Sequence, residues 1–317
     1  MVVAVTRWLP PPGIGPLERA GFDVRYQGED RPPGRDELLA LVHGARAILT
    51  LLTERVDDDL LDAAGPGLEV VANLAVGYDN VDVAACRARD VAVTNTPGVL
   101  TEATADLTWA LVLAATRRLG EGERLVRRGE WTGWRPGQLL GAGLQGKVLG
   151  IFGMGQIGAA VARRGSAFGM AVRYTNRTPR SDEADLGARW APLGELLATA
   201  DVLVLNAPAT PETRHVINST SLGAMKPGAV LVNTARGPLV DEAALVDALR
   251  SGQLRAAGLD VYEHEPQVHP GLLELEQVVL APHLGSATDE TRAAMVQLAC
   301  DNIIAVLAGE SPLTPVG

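Results

Sequence analysis

Three short stretches, far apart along the chain, each end an apolar run with a residue that can carry a charge or a proton. Asn233-Thr234-Ala235-Arg236-Gly237 offers an arginine, Leu259-Asp260-Val261-Tyr262-Glu263-His264-Glu265-Pro266 offers carboxyls, and Ala281-Pro282-His283-Leu284-Gly285-Ser286 offers an imidazole. If the apolar runs are strands of an open α/β sheet, all three groups stand at carboxyl ends, where such sheets bind ligands. Hydride transfer to a 2-keto acid requires a cation for the carboxylate and carbonyl, a proton donor for the nascent alkoxide, and an acid that keeps that donor protonated. Arg236, an acid of the second stretch and His283 are therefore the candidate catalytic groups. His43, His215, His264 and His269 lack this context and read as structural or exposed, with His264, next to Glu265, the one rival.

A fourth stretch, Val148-Leu149-Gly150-Ile151-Phe152-Gly153-Met154-Gly155-Gln156-Ile157-Gly158, reads as a buried strand turning into a helix, with glycines spaced G-x-G-x-x-G. In that setting Gly153 allows the tight turn, Gly155 lets a pyrophosphate approach the backbone, and Gly158 lets the helix pack on the strand, leaving the anion at the helix N-terminus. About twenty residues beyond the glycines an NAD enzyme usually places an acid for the adenosine ribose. Here the chain reads Thr175-Asn176-Arg177-Thr178-Pro179-Arg180, and Asp182 and Glu183 come too late to replace the missing acid. A guanidinium in that place suits the 2′-phosphate of NADP, so NADPH is the expected cofactor and NAD the lesser one.

Positioning these groups takes two α/β units. Residues 1–98 alternate apolar strands near 2–6, 22–26, 46–51, 69–73 and 91–93 with amphipathic helices near 16–20, 36–43, 57–64 and 81–88, the pattern of a small doubly wound unit. Thr101 reads as the N-cap of a long helix over 101–119, with Trp109 midway, apolar enough to be buried between domains or against another subunit. Residues 120–146, with Trp131, Trp134, Pro136 and many glycines, read as an irregular arm. Six further strands, near 148–152, 171–175, 202–206, 229–233, 256–260 and 278–281, predict a Rossmann-type sheet. A final helix over 289–307 would return to the first unit. The expected architecture is thus α/β: a Rossmann-type dinucleotide-binding domain over 99–286, with a dimerisation helix and arm at 101–146, plus a smaller flavodoxin-like doubly wound substrate domain built from 1–98 and 287–317.

Composition narrows the function classes. The 317 residues, 47% of them hydrophobic, can bury substantial cores, and a net charge of −10 without any basic run argues against nucleic acid or an anionic membrane as partner. No export signal or membrane span is legible, and Cys86 and Cys300, the only cysteines, read as buried thiols rather than a disulfide, a metal site or a nucleophile. A cytoplasmic protein without a metal is the expectation.

The chain resembles the D-2-hydroxyacid dehydrogenase family, and within it the glyoxylate and hydroxypyruvate reductases, over nearly its whole length. The likeness rests on 73–82 (NLAVGYDNVD), 94–104 (TNTPGVLTEAT), 129–136 (GEWTGWRP), the glycine motif and the three strand-end motifs, all in order. It implies that Arg236 binds the substrate carboxylate and carbonyl, that Glu265 pairs with His283, and that His283 shuttles the proton, with main-chain donors at Val76 and Gly77 completing the carboxylate site. It further implies cofactor contacts from Gly153, Gly155, Gln156, Ile157 and Gly158, from Asn176, Arg177 and Thr178, and from Thr234, Ala235, Arg236, His283 and Gly285, with Asp260 holding the nicotinamide amide. The implied reaction is NADPH-dependent reduction of glyoxylate, hydroxypyruvate or both, to glycolate and D-glycerate. Loop 72–77 lacks the basic group that a phosphorylated substrate or a phosphonate would call for, and Glu265 stands where a formate dehydrogenase would carry glutamine. Another D-2-hydroxyacid dehydrogenase, such as a D-3-phosphoglycerate dehydrogenase, and a non-catalytic nucleotide-sensing co-regulator of the same fold stay open. In a homodimer the arm would let Trp134 wall the neighbour's substrate pocket.

Overall fold

The computed structural model describes residues 1–317. In chain order its elements are β1 (Val2–Val5), α1 (Gly15–Arg19), β2 (Asp23–Tyr26), α2 (Arg35–Val42), β3 (Ala47–Thr50), α3 (Asp58–Ala64), β4 (Val70–Asn73), α4 (Val83–Arg87), β5 (Ala92–Thr94), α5 (Thr101–Thr116), α6 (Leu119–Arg127) and β6 (Val148–Phe152). There follow α7 (Gln156–Ala167), β7 (Ala171–Thr175), β8 (Ala188–Trp190), α8 (Leu193–Thr199), β9 (Val202–Leu205), α9 (Ser219–Ala224), β10 (Ala229–Asn233), α10 (Glu242–Arg250), β11 (Leu254–Leu259), α11 (Pro270–Leu273), β12 (Val278–Leu280) and α12 (Asp289–Leu307). No helix is long and apolar enough to cross a membrane.

Met1–Leu100 and Ser286–Gly317 form one unit. Its five parallel strands run β2-β1-β3-β4-β5, the flavodoxin-like order. β3 and β4 are buried at every position, as strands covered on both faces must be. Asp57, Asp82 and Thr288 accept backbone N–H groups at the starts of α3, α4 and α12, which fixes where each helix begins. α12 packs on β3 and β4 and buries Met295, Val296, Ala299, Cys300 and Ile303, so the end of the chain completes a unit begun at its start. Cys86 and Cys300 are buried free thiols, pushed up to about 11 and about 12 by burial.

Thr101–Gly285 form the second unit. Its seven parallel strands run β12-β11-β10-β9-β6-β7-β8, the Rossmann order with one strand added beyond β11. Alternation along the strands divides the core: Leu203, Leu205 and Leu231 pack with α8, α9 and α10, while Leu149, Ile151, Val204 and Val232 pack with α5 and α7.

Three local features differ from the sequence reading. Thr101 is the first residue of α5 rather than its cap, and the helix stops at Thr116. There the Thr116 carbonyl accepts the Ala142 N–H at 2.9 Å, and Arg118 turns left-handed at φ 53° before α6 begins. α6 occupies the start of the supposed irregular arm; Gly120 and Gly122 mask its helical pattern, and Arg118–Glu121 and Glu123–Arg127 pairs support it. β8 was not expected because a three-residue edge strand centred on Arg189 carries no apolar run. The apolar character of α5 also has a local cause, for the helix lies on its own sheet. A Cβ at Gly258 of β11 would stand 3.0 Å from the Leu111 side chain, and Trp109 donates to the Val161 carbonyl of α7 at 3.1 Å.

Candidate active site

The turn from β6 into α7 has the geometry its glycines suggest. Gly153 is left-handed at φ 98°, and a Cβ there would lie 2.5 Å from the Ala207 nitrogen. A Cβ at Gly158 would lie 2.4 Å from the Gly153 carbonyl oxygen, which is how closely the helix rests on the strand. Around Gly155, by contrast, a Cβ would meet nothing within 4 Å. No side chain caps α7 at this end, so the N–H groups of Gln156, Ile157 and Gly158 face an open, positively polarised site. Nearby, at the end of β9, the buried amide of Asn206 has neither its donor nor its acceptor paired. An open cradle of N–H groups and an orphaned amide fit a dinucleotide.

Asn176 works inward. Its Oδ1 accepts the Met154 N–H at 2.6 Å and its Nδ2 donates to the Met154 carbonyl at 3.3 Å, so it holds the glycine turn rather than offering itself to a ribose. Arg180 is likewise engaged, with Asp182 and the Met154 carbonyl. Arg177 and Thr178 are exposed. The Thr210 hydroxyl, a backbone N–H at Glu212 and, more weakly, the Arg177 charge hold the Glu212 carboxyl below its ordinary value, so Arg177 and Glu212 lie within reach of each other's charge.

The three strand-end groups follow β10, β11 and β12, adjacent strands of one sheet. His283 Nδ1 lies 2.9 Å from Glu265 Oε2, and the two side chains are 30% and 32% exposed. An ionised carboxylate only accepts, so Nδ1 carries the hydrogen and Nε2 is the nitrogen left to give or take a proton. Burial pushes the Glu265 carboxyl up, but the bond and charge of His283, the Tyr262 N–H and the Arg236 charge outweigh it and hold the group below its ordinary value. His283 itself is left-handed at φ 55°. Its turn is fixed by Asp260, whose carbonyl accepts the His283 N–H at 2.9 Å and whose carboxylate accepts the Leu284 and Gly285 N–H groups at 2.6 and 2.8 Å. Burial pushes the Asp260 carboxyl up against those two N–H groups and the His283 charge. A nicotinamide amide would therefore share oxygens already in use.

Arg236 is half-buried and donates to the Ala235 carbonyl at 2.8 Å. Asn233, which sequence reasoning passed over, sets this turn: Nδ2 donates to the Arg236 carbonyl at 2.9 Å and Oδ1 accepts the Ala235 N–H at 3.0 Å. The Thr234 hydroxyl meets that of Thr108 at 2.7 Å. Asn206 and Asn233 each follow an apolar strand, the same signal that singled out Arg236, and could have been found by it. The other histidines serve the structure: His215 pairs with Glu263 at 2.6 Å, His269 accepts the Gly271 N–H at the start of α11, and His264 lies on the surface.

In the first unit, the Val76 and Gly77 carbonyls accept from Asn95 and Asn73, both at 2.8 Å, and neither N–H meets an acceptor. Trp134 is 82% exposed. No group of three or more His, Cys, Asp or Glu side chains is placed to hold a metal ion.

A Rossmann sheet with an open glycine cradle and a histidine–carboxylate pair at its strand ends defines a nicotinamide-dinucleotide oxidoreductase. A family profile, D-isomer specific 2-hydroxyacid dehydrogenase, NAD binding domain, matches residues 109–285. The chain is 48% identical over 319 residues to a glyoxylate reductase of Thermococcus onnurineus, spanning 99% of this chain and 95% of that protein. It superposes at a TM-score of 0.95 and 47% identity on the TT0316 protein of Thermus thermophilus, with all of both chains covered. A further structure, an NADPH-dependent glyoxylate/hydroxypyruvate reductase of Sinorhizobium meliloti in complex with NADP and malonate, is 38% identical at a TM-score of 0.87, covering 100% of this chain and 96% of that one. The chain belongs to the D-isomer specific 2-hydroxyacid dehydrogenases, as an NAD(P)-dependent enzyme similar to the glyoxylate reductases.

Proposed function

We propose that the enzyme reduces glyoxylate, hydroxypyruvate or both with NADPH, in a reducing cytoplasm and as a homodimer. The observation that carries the reading is the 2.9 Å pair of His283 and Glu265 beside Arg236, on strand ends of the sheet that bears the glycine cradle. The relatives named for glyoxylate reduction support the substrate, and the lack of a basic side chain in loop 72–77 favours a small, unphosphorylated acid. Two adjacent N–H groups without acceptors, at Val76 and Gly77, suit a carboxylate. The exposed Arg177, with no acid at its position, supports NADP over NAD, as does the cofactor bound to the Sinorhizobium enzyme.

When bound, the reduced nicotinamide supplies the hydride for C2. Arg236 holds the substrate carboxylate and polarises the carbonyl, as a fixed cation does best in a partly desolvated site. The proton on His283 Nε2 passes to the carbonyl oxygen as negative charge grows there, while Glu265, bonded to Nδ1–H, stabilises the imidazolium before the transfer. The neutral ring then regains its proton from solvent. Steady-state rates with NADPH and NADH against glyoxylate, hydroxypyruvate and pyruvate test the reading: glyoxylate or hydroxypyruvate with NADPH should give the highest kcat/KM. His283→Ala should lower kcat by roughly 10²–10⁴-fold while NADPH still binds. Arg177→Ala should erode the preference for NADPH by about 10- to 100-fold, the worth of a charge-assisted contact. Equal or better efficiency with NADH in the parent enzyme overturns the cofactor assignment.

A further inference from the structure

We propose that Tyr262 is a positioning residue that sets the spacing of Arg236, Glu265 and His283, touching the loop of each through a different group. The proposal rests on reading those three as the catalytic set. Tyr262 is buried, 7% exposed, and stands just past β11 between the other two strand ends. Its N–H donates to Glu265 Oε1 at 3.0 Å, which orients the carboxylate so that Oε2 meets His283. Its phenol donates to the Ala281 carbonyl at 2.9 Å, two residues before His283. Its carbonyl lies against Gly237, the residue after Arg236, so closely that a Cβ at Gly237 would stand 1.8 Å from the Tyr262 oxygen.

These contacts divide the work with Asp260. Asp260 fixes the far side of the left-handed His283 turn through Leu284 and Gly285, and the Tyr262 phenol fixes the near side at Ala281. A left-handed residue other than glycine carries backbone strain, even where, as for histidine, the conformation is less rare, and here the anchors lie on both sides. Burial, with the Asp260 charge adding to it, pushes the phenol up to about 12, so it remains a neutral donor throughout the working range. The Tyr262 ring also packs in the core shared by α8, α9 and α10, which gives the post a rigid base.

Tyr262→Phe keeps the ring and the N–H and removes the phenol. With [13Cε1]-histidine labelling, the five histidines of the chain give separate ring signals, and His283→Ala identifies the one of interest. In Tyr262→Phe the His283 signal should move while the other four stay, kcat with glyoxylate should fall by about threefold or more, and KM and NADPH affinity should stay within about twofold. A His283 signal that does not move overturns the proposal, as does a smaller loss of kcat in an active parent. A variant that unfolds, or that loses NADPH affinity in step with kcat, assigns the phenol to the fold and overturns it equally. If the His283 signal moves but the parent enzyme reduces no 2-keto acid, the functional reading fails and the positioning role stands.

Discussion

Glu265 and Asp260 stand within one loop and respond to burial with opposite outcomes. Glu265 has a cationic partner and a backbone donor, and its carboxyl is held below the ordinary value; Asp260, buried more deeply, is pushed above it. The signs of their contributions follow. A carboxyl with a depressed folded pKa stabilises the fold above its unfolded value, near 4.3 for glutamate, and that contribution disappears as pH falls through the folded value. A carboxyl with a raised folded pKa does the reverse, contributing below its unfolded value and losing it as pH rises through the folded one. Glu265→Gln should therefore destabilise the protein at pH 7 and converge with the parent only as pH falls through the depressed folded value, below which both carry a neutral side chain. Thermal unfolding between pH 3 and 8 would check this, and a gap that widens on acidification would contradict it. Arg236 and His283 stood out in the sequence as charged and titratable types past apolar runs, whereas Glu265 had to be picked from Asp260, Glu263 and Glu265 by the family resemblance. Tyr262 was not legible, because it acts on neighbouring main-chain groups, and no residue type advertises that its phenol will meet a carbonyl.

Elements were legible in proportion to their apolar periodicity. The buried strands of both sheets and the apolar length of α12 show plainly, whereas β8 is a polar edge strand and α6 a short surface helix with no buried residue, interrupted by Gly120 and Gly122. The helix α5 was recognised for its apolar length but not for the surface it covers. Its neighbour is its own sheet, reached because Gly258 offers no side chain, and the joint with α7 is closed by Trp109. Trp109 is 4% exposed and stacks on Phe168 with ring centroids 4.5 Å apart. Trp109→Ala should remove that stack and the indole's bond to Val161 and open a cavity between α5 and α7, at a cost of about 3–5 kcal/mol. Denaturant unfolding of the second unit measures it. A loss below about 1 kcal/mol would mean that α5 takes its stability from another surface.

Besides the outer face of α5, which exposes Leu113, apolar surface for a second copy lies further along the chain. Leu119 and Val126 of α6, and Trp131, Trp134 and Leu140 beyond it, are each more than half exposed. Soluble chains seldom leave so many large apolar side chains in one short stretch without a partner. A homodimer formed through this stretch would bury them, and a two-fold axis would carry each arm onto the other copy. In sedimentation the parent should then run at twice 33.3 kDa. Leu119→Glu with Val126→Glu, which places charges on α6 without touching any buried residue, should return it to the monomer with its fold intact by circular dichroism. Trp134→Ala tests a separate part of the idea, because an arm that walls the neighbour's pocket limits substrate size while adding little to association. The dimer should persist, and the preference for glyoxylate over bulkier 2-keto acids should weaken. An unchanged preference in a persisting dimer would leave the tryptophan to the interface alone, and a parent that sediments as a monomer would remove the dimer altogether.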